Sequence, residues 1–275
     1  MLATYVRRST LALAAAMLSL AAVAPRAAFA QASPDTIVIG ALGDSMTRGM
    51  NAGSLLEHPK HSWSTGEGGV VNSHAMRLHK LFANVQAINV AVSGSRAEAL
   101  ASQVQRLLAT ARPDYVTILI GAIDVCGWPA NDAAGVTSLS RSVTSAIQSL
   151  VAANAAVRVL LLPIPDMLQL RDVGRQNNCQ ARWDMLGWCS NLLGANATTA
   201  DVAAFGSRLA DANDALRSVA AAFPANVHFA DGVQHSPFAW EHISTIDCFH
   251  PSIAGQEHIA DVSWPASWYA NPTPH

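Results

Sequence analysis

The sequence predicts a three-layer α/β fold in which helices cover both faces of a parallel, five-stranded sheet. Short apolar runs rich in β-branched residues alternate with longer segments whose apolar residues recur at the helical period. This alternation indicates parallel strands, because a parallel pair needs a long crossover, which is usually a helix. The predicted strands are 36–42, 87–92, 115–120, 157–162 and 227–230. The predicted helices are 70–82, 96–110, 137–153, 201–223 and 253–262.

The individual segments support this order of elements. The first strand, 36–42, reads Thr-Ile-Val-Ile-Gly-Ala-Leu, which is typical of a strand buried on both faces. The next three strands have the same character, and the strand at 227–230 is the weakest. In the helix 96–110, Ala97, Leu100 and Val104 recur at three- and four-residue steps. Because ligands of parallel sheets bind at the carboxyl ends of the strands, we expect the functional residues there.

Composition excludes several classes of protein. Charged residues make up 13% and hydrophobic residues 51% of the 275 residues. Soluble proteins contain roughly 25% charged residues, so this chain has a large core and a weakly polar surface. A nucleic-acid-binding protein would need a clustered excess of Lys and Arg, whereas the formal net charge here is −2. We therefore expect a globular protein without a nucleic-acid partner.

The first 30 residues have the pattern of a secretory signal peptide. Arg7 and Arg8 precede the apolar run 11–24, and Ala28-Phe29-Ala30 supplies a small-x-small cleavage site. The run is shorter than the roughly 18–20 residues that span a bilayer as a helix, and no comparable run follows. The sequence thus predicts cleavage after Ala30, export to the periplasm or the medium, and one domain at 31–275 with no transmembrane segment. The tail 265–275, with its three prolines, is expected to be loose.

Four cysteines follow the predicted cleavage site, in a compartment where disulfides form. They are Cys126, Cys179, Cys189 and Cys248, and they allow three pairings. The preferred pairing is Cys179 with Cys189, which closes a short loop, and Cys126 with Cys248. The tight Cys-x-x-Cys spacing of a zinc site is absent from the sequence.

A candidate nucleophile follows the first strand, in Gly43-Asp44-Ser45. A serine at a strand-to-helix turn projects its hydroxyl from the sheet edge, and its backbone N–H lies near a helix N-terminus, where negative charge is stabilised. The alternative is a serine that only caps the helix.

A candidate base and carboxylate lie close together near the other end of the chain, at Asp247 and His250. A serine hydroxyl needs a base to remove its proton, and an imidazole needs a carboxylate to hold its tautomer. Residues three apart on one turn can supply both groups. The alternative is that the two residues only lie in a solvated loop. For this pair alone, without the other motifs, that interpretation is preferred.

Two further turns carry glycines at the expected edge of the sheet. Gly94 follows the second strand, and a glycine there lets a backbone N–H approach a substrate. Gly121-Ala122-Ile123-Asp124 follows the third strand. Each glycine alone would be an ordinary turn residue.

Taken together, these blocks resemble the GDSL or SGNH family of serine hydrolases over nearly the whole mature chain. The resemblance implies a flavodoxin-like sheet (the SGNH hydrolase fold), Ser45 as nucleophile, His250 as general base and then acid, and Asp247 as the orienting carboxylate. It also implies that the N–H groups of Ser45 and Gly94 form the oxyanion hole, with no metal and no cofactor. The segments 61–66 and 247–252 look like the phospholipase-B-like branch of that family.

One block departs from the family pattern, which is Gly-x-Asn-Asp. Ile123 occupies the position of the asparagine, whose amide would point at the developing oxyanion. Losing one such donor typically costs about a hundred- to a thousandfold in turnover. The departure predicts a weakened enzyme unless a water or another side chain, such as Asn131, fills the gap.

The resemblance implies hydrolysis of carboxylic esters, with lipid or short-chain acyl esters as substrates. Two alternatives stay open, a carbohydrate acetyl-esterase of the same family and a catalytically inactive binding protein that keeps the fold. Trp128, Trp183 and Trp188 are candidates for the lining of an acyl pocket, and the segment 167–197 is a candidate lid or a disulfide-pinned surface loop. Arg48 is either a contact for an anionic substrate or part of a solvated face. The sequence does not give the oligomeric state.

Overall fold

The computed structural model describes residues 35–129 and 132–270. Its centre is a sheet of five parallel strands in the order β2-β1-β3-β4-β5. The strands are β1 (Thr36–Gly43), β2 (Asn84–Asn89), β3 (Tyr115–Leu119), β4 (Arg158–Leu161) and β5 (Val227–Phe229). This is the parallel five-stranded sheet that the sequence predicts.

Helices connect the strands and continue beyond them. The α-helices are α1 (His74–Leu78), α2 (Leu100–Thr110), α3 (Ala122–Gly127), α4 (Ala133–Ala153), α5 (Met167–Gln176), α6 (Gln180–Leu186), α7 (Ser190–Leu193), α8 (Thr199–Ala221), α9 (Gly232–His235) and α10 (Ile253–Ser263). Short 3-10 turns lie at Pro59–His61, Ala97–Ala99, Trp240–His242 and Trp264–Ala266.

The two faces of the sheet pack against different helices. On one face, Val116 and Ile118 of β3 belong to a buried cluster with side chains of α2, α4 and α8. On the other face, Tyr115 and Leu119 of the same strand belong to a cluster with side chains of α1 and α10. Alternate residues of one strand thus serve two cores, and the three-layer prediction is confirmed.

The second strand begins and ends earlier than the hydrophobicity suggests. β2 pairs with β1 from Thr36↔Asn84 to Ala41↔Asn89, and its residues are half-buried or exposed because it is an edge strand. The apolar run at 87–92 extends past the strand, where Val90 and Val92 still donate hydrogen bonds to β1. The apolar residues here indicate the approximate position of the strand, but not which residues pair with β1.

The structure describes part of the predicted C-terminal tail but not the predicted N-terminal leader. The predicted leader, 1–30, lies outside the described residues, and within those residues no helix is long and apolar enough to cross a membrane. The tail is more ordered than expected as far as it is described. Trp268 stacks on His228 of β5 and donates its indole N–H to the carbonyl of Val159 at 3.3 Å, so this part of the tail packs onto the sheet edge.

The preferred disulfide pairing is wrong. Cys126 is bonded to Cys189, with Cα atoms 4.7 Å apart, and Cys179 is bonded to Cys248, with Cα atoms 5.8 Å apart. The segment between Cys179 and Cys189 is not a simple loop but contains α6, which begins directly after Cys179. Because the helix separates the two cysteines, each bridges to a distant part of the chain instead.

Candidate active site

Ser45 lies in the turn at the carboxyl end of β1. The turn requires a glycine at Gly43, which has a φ of 147°, and a Cβ there would approach the carbonyl oxygen of Leu119 to 2.3 Å. Gln103 of α2 holds the same residue, since its side-chain amide exchanges two hydrogen bonds of 2.8 Å with the backbone of Gly43. The turn therefore places Ser45 at a fixed position on the edge of the sheet, where it is 5% exposed.

The structure brings Ser45, His250 and Asp247 into one hydrogen-bonded chain. The hydroxyl oxygen of Ser45 lies 2.7 Å from Nε2 of His250, and Nδ1 of His250 lies 2.6 Å from Oδ2 of Asp247. All three side chains are buried. A carboxylate only accepts hydrogen bonds, so Nδ1 carries the proton and Nε2 of the neutral ring can accept from the hydroxyl.

Asp247 is held as a charged group by four hydrogen-bond donors. Its Oδ1 accepts the backbone N–H groups of Phe249 and His250, at 2.8 Å and 3.0 Å. Its Oδ2 accepts from His250 and from the side-chain amide of Asn51, at 2.6 Å each. Burial acts to raise the pKa of Asp247, but the hydrogen bonds and charge of His250, with the amide of Asn51, hold the pKa below its ordinary value.

The other side of the serine turn carries candidate donors for a negative charge. Val92 donates its N–H to the carbonyl of Gly43 at 3.1 Å, which brings the start of the segment 92–94 alongside the serine turn. Gly94 is exposed and has a φ of 78°. Within the described part of the chain, the N–H groups of Ser45 and Gly94 donate to no protein acceptor. They are therefore available to a bound oxygen.

Ile123 lies half-buried in the first turn of α3, at the carboxyl end of β3. An isoleucine side chain has no hydrogen-bond donor, so it cannot supply what an asparagine would supply there. Asp124, the next residue, accepts the N–H of Ala97 at 3.1 Å and so ties α3 to the segment after Gly94. Asn131, the residue considered as a replacement donor, lies outside the described residues.

Comparison with known proteins identifies the family of the chain. The family model of the GDSL-like lipase/acylhydrolase family matches residues 41–258, from within β1 to within α10. The chain belongs to this family. It is therefore an acylhydrolase, an enzyme that hydrolyses ester bonds. No curated protein matches the chain in sequence.

Solved structures similar to this acylhydrolase share its fold. An extracellular lipase from Streptomyces rimosus is 18% identical over 84% of this chain and 100% of its own, with a TM-score of 0.52. A lipase/acylhydrolase from Enterococcus faecalis is 17% identical over 82% of this chain and 92% of its own, with a TM-score of 0.52. A lipase from a goat rumen metagenome is 17% identical over 84% and 97%, with a TM-score of 0.54.

An apolar cavity of the acylhydrolase adjoins the hydrogen-bonded chain. The cavity is lined by Met46, which follows Ser45, by Ala122 of α3 and by His250. The rest of the lining is mostly apolar and comes largely from α5, α10 and the segment between α9 and α10, including Leu170, Phe238 and Ile259. The cavity lies on the β3–β4 side of Ser45, opposite the side of Gly94 in the strand order.

The three tryptophans proposed for an acyl pocket take different positions in the acylhydrolase. Trp128 and Trp183 are buried in the core. Trp188 is 39% exposed, and its ring centroid lies 5.6 Å from that of His250 in an edge-on arrangement. None of the three is among the residues that line the apolar cavity. The segment 167–197, proposed as a lid or a loop, folds mainly into α5, α6 and α7 and carries one cysteine of each disulfide.

Two ionisable side chains lie close to Ser45 in the chain, Arg48 and Asp44. Arg48 forms an ion pair with Glu57 at 2.7 Å, which favours the interpretation of a structural residue over a substrate contact. Asp44 is fully buried, and burial raises its pKa to about 6. Its Oδ1 accepts the N–H of Met46 at 2.9 Å, while Oδ2 has no hydrogen-bond partner among the described residues.

Sequence reasoning missed Gln103, Asn51 and Glu57. Gln103 shapes the serine turn, Asn51 contacts Asp247, and Glu57 accepts the hydroxyl of Ser93 at 2.6 Å. None of them belongs to a motif, and their partners lie up to 196 residues away in the chain. No local pattern could have identified them.

Proposed function

We propose that this acylhydrolase is an exported serine esterase or lipase that cleaves carboxylic esters through an acyl-Ser45 intermediate. The observation that carries the proposal is the 2.7 Å contact between the Ser45 hydroxyl and Nε2 of His250, with Asp247 on the opposite side of the ring. A nucleophile within hydrogen-bonding distance of a base that a third group orients is the arrangement required for acyl transfer.

The mechanism follows from the hydrogen bonds. Nε2 of His250 takes the hydroxyl proton as Oγ of Ser45 attacks the ester carbonyl carbon, and Asp247 stabilises the resulting imidazolium. The carbonyl oxygen becomes negative and accepts the N–H groups of Ser45 and Gly94. The intermediate then expels the alkoxide, which receives the proton from Nε2 and leaves as an alcohol. A water molecule repeats the sequence on the acyl-enzyme, releases the carboxylic acid and restores the hydroxyl of Ser45.

The apolar cavity supports esters with a hydrocarbon chain. Its lining includes Met46 and His250, which flank the proposed nucleophile, and most of the lining surface is apolar. A sugar acetyl ester would need hydrogen-bonding partners for its hydroxyl groups, which an apolar lining does not supply. The cavity therefore favours acyl esters over carbohydrate acetyl esters. Assignment to the phospholipase-B-like branch stays a prediction.

The proposal is tested by hydrolysis of nitrophenyl esters of short acyl chains. We expect Ser45→Ala to lose nitrophenol release, while the matched control Ser102→Ala, an exposed serine of α2, keeps it. A phosphonate ester should add covalently to the wild-type enzyme at the peptide that contains Ser45, as mass spectrometry would detect. If Ser45→Ala releases nitrophenol as fast as wild type, Ser45 is not the nucleophile and the proposed mechanism is wrong.

Export is part of the proposal and has its own test. The leader pattern at 1–30 and the two disulfides support it, because disulfides persist in oxidising compartments. We expect the protein recovered outside the cytoplasm to begin at Gln31, as N-terminal sequencing would show. A cytoplasmic product that retains residues 1–30 would contradict this part.

A further inference from the structure

We propose that Asn51 is a positioning residue of this enzyme, which acts through Asp247 to hold His250 ready to accept the proton of Ser45. The inference rests on the proposed roles of Asp247 and His250. It adds a residue that lies outside every motif in the sequence, in the loop that follows the serine turn.

Asn51 donates to the same carboxylate oxygen that His250 uses. Its Nδ2 lies 2.6 Å from Oδ2 of Asp247, and Nδ1 of His250 lies 2.6 Å from the same atom. Asn51 is 8% exposed and Asp247 is 3% exposed, so no bulk water replaces the amide if it is lost. Hydrogen bonds to charged groups are stronger than those between neutral groups.

The amide has the chemistry that this position requires. Oδ1 of Asp247 is held by two backbone N–H groups, whereas Oδ2 accepts only from Asn51 and His250 among the described residues. A second donor on Oδ2 fixes the rotation of the carboxylate and stabilises its charge. A fixed, ionised carboxylate in turn keeps the Nδ1–H tautomer of His250, which leaves Nε2 free to accept from Ser45.

The surrounding loop is built to hold Asn51 in place. Asn51 donates its N–H to the carbonyl of Leu56 at 2.8 Å and accepts the N–H of Leu56 on Oδ1 at 2.9 Å. The hydroxyl of Ser244 donates to the carbonyl of Asn51 at 2.8 Å. Asn51 itself has a φ of 55°, which asparagine tolerates better than most residues. The donor aimed at Asp247 is therefore fixed by three independent contacts.

The same loop also reaches the segment that carries Gly94. Glu57, the next residue after Leu56, accepts the hydroxyl of Ser93 at 2.6 Å and forms the ion pair with Arg48. One loop thus connects the carboxylate side of the site, through Asn51, with the proposed oxyanion side, through Glu57. A role for Asn51 only in loop folding would not require the short contact to Asp247.

The decisive variant is Asn51→Asp, which keeps the shape and the acceptor for Leu56 but replaces the donor with a second carboxylate. We expect kcat to fall at least about 10- to 100-fold, because the donor to Asp247 is lost and two carboxylates then face each other, while KM stays within about twofold. Asn178→Asp is the matched control, because Asn178 also has a positive φ, of 61°, but is exposed. Its kcat should equal that of wild type.

The pH profile reports whether the side chain at position 51 faces the pair formed by Asp247 and His250. Among the described residues, the ionisable groups that act on His250 are Asp247 and, at longer range, Asp44. A further carboxylate at position 51 favours the protonated ring, so we expect the acid limb of kcat/KM to move to higher pH in Asn51→Asp. A limb that stays in place would mean that the side chain at position 51 does not reach the pair formed by Asp247 and His250, and that result would overturn the proposal.

Two further measurements keep the inference separate from its premises. If Asn51→Asp does not fold, Asn51→Gly decides, since glycine adopts the required φ and removes only the side chain; a kcat within twofold of wild type would overturn the role. If Ser45→Ala keeps activity, the proposed function itself fails. If Ser45→Ala is inactive and Asn51→Asp is as active as wild type, only the role of Asn51 fails.

Discussion

Cys248, which lies between Asp247 and His250, is bonded to Cys179, 69 residues away at the start of α6. Two neighbours of Cys179 reinforce this link. Trp183 donates its indole N–H to the carbonyl of Cys248 at 3.0 Å, and the guanidinium of Arg182 donates to the carbonyls of Thr245 and Ile246. The turn that carries both proposed partners of Ser45 is therefore fastened to α6.

This attachment predicts that the two disulfides differ in their effect on activity. Their sequence separations are similar, 69 and 63 residues, so the loss of either should destabilise the protein by a similar amount, about 4 kcal/mol in the loop-entropy model. We expect the double variant Cys179→Ala/Cys248→Ala to lower kcat at least tenfold more than Cys126→Ala/Cys189→Ala. Steady-state kinetics below the unfolding temperature of both variants, with denaturant unfolding in parallel, make the comparison. Equal kcat values would contradict the proposed role of the attachment.

The sequence predicts the fold and singles out three proposed reacting groups that the structure brings together, but it does not predict the contacts that support them. Gly43-Asp44-Ser45 and the pair Asp247 and His250 are short motifs whose positions relative to the strands are readable from hydrophobicity alone. Asn51 is one asparagine without periodicity, and its partner becomes a neighbour only after folding. The disulfide pairing failed for a related reason, because α6 interrupts the segment that was expected to be a short loop. Long-range contacts decide these features, and a single sequence carries no local signal for them.

Replacing Ile123 should increase the rate. Ile123 lies in the first turn of α3, beside Ala122 of the cavity, and contributes no donor to the proposed oxyanion site. An asparagine amide there would add one, and such a donor is typically worth about a hundred- to a thousandfold in kcat. We expect Ile123→Asn to raise kcat by up to about a hundred- to a thousandfold. Ile123→Val, which also lacks a donor, should leave kcat near that of wild type. An Ile123→Asn variant that is no faster than Ile123→Val would mean that the side chain does not reach the reacting oxygen.

Removing the branched side chain at Leu56 should stabilise the protein. Leu56 has a φ of 76° and is 74% exposed, so it adopts a left-handed conformation without gaining burial. That conformation costs a non-glycine residue about 1–2 kcal/mol, of which the greater freedom of an unfolded glycine offsets about 0.5–1 kcal/mol. We expect Leu56→Gly to raise the free energy of unfolding by about 0.5–1 kcal/mol in urea titrations. Leu55→Gly, at an equally exposed neighbour that lacks a positive φ, should instead give no gain.

Filling the apolar cavity should change the substrate preference. Leu170 of α5 lines the cavity, and a larger side chain there shortens the space beside Met46 and His250. We expect Leu170→Trp to lower kcat/KM for long-chain nitrophenyl esters about tenfold or more and to leave acetate hydrolysis nearly unchanged, since a hydrocarbon chain gains about 0.8 kcal/mol per buried methylene. Leu81→Trp, at an exposed leucine outside the cavity lining, should leave the preference unaltered. A uniform loss over all chain lengths in Leu170→Trp would contradict the assignment of the cavity to the substrate chain.

The buried carboxyl of Asp44 should make the folded state less stable as pH rises. Burial raises its pKa from 3.8 to about 6, so the folded protein holds a proton that the unfolded chain releases between these values. The stabilisation is fully present below the unfolded pKa and is lost as pH rises through about 6.

In Asp44→Asn the side chain cannot ionise, and its amide oxygen can still accept from Met46. Between about pH 4.5 and about pH 7.5, we expect the free energy of unfolding of wild type to fall relative to Asp44→Asn by about 2 kcal/mol. Taking the difference between the two proteins cancels the shared groups that do not interact with Asp44, such as the buried His74. The exposed carboxyl of Asp172 supplies the control, because Asp172→Asn should track wild type across the range. Parallel curves for wild type and Asp44→Asn would mean that Asp44 is already ionised in the fold, with a partner on Oδ2.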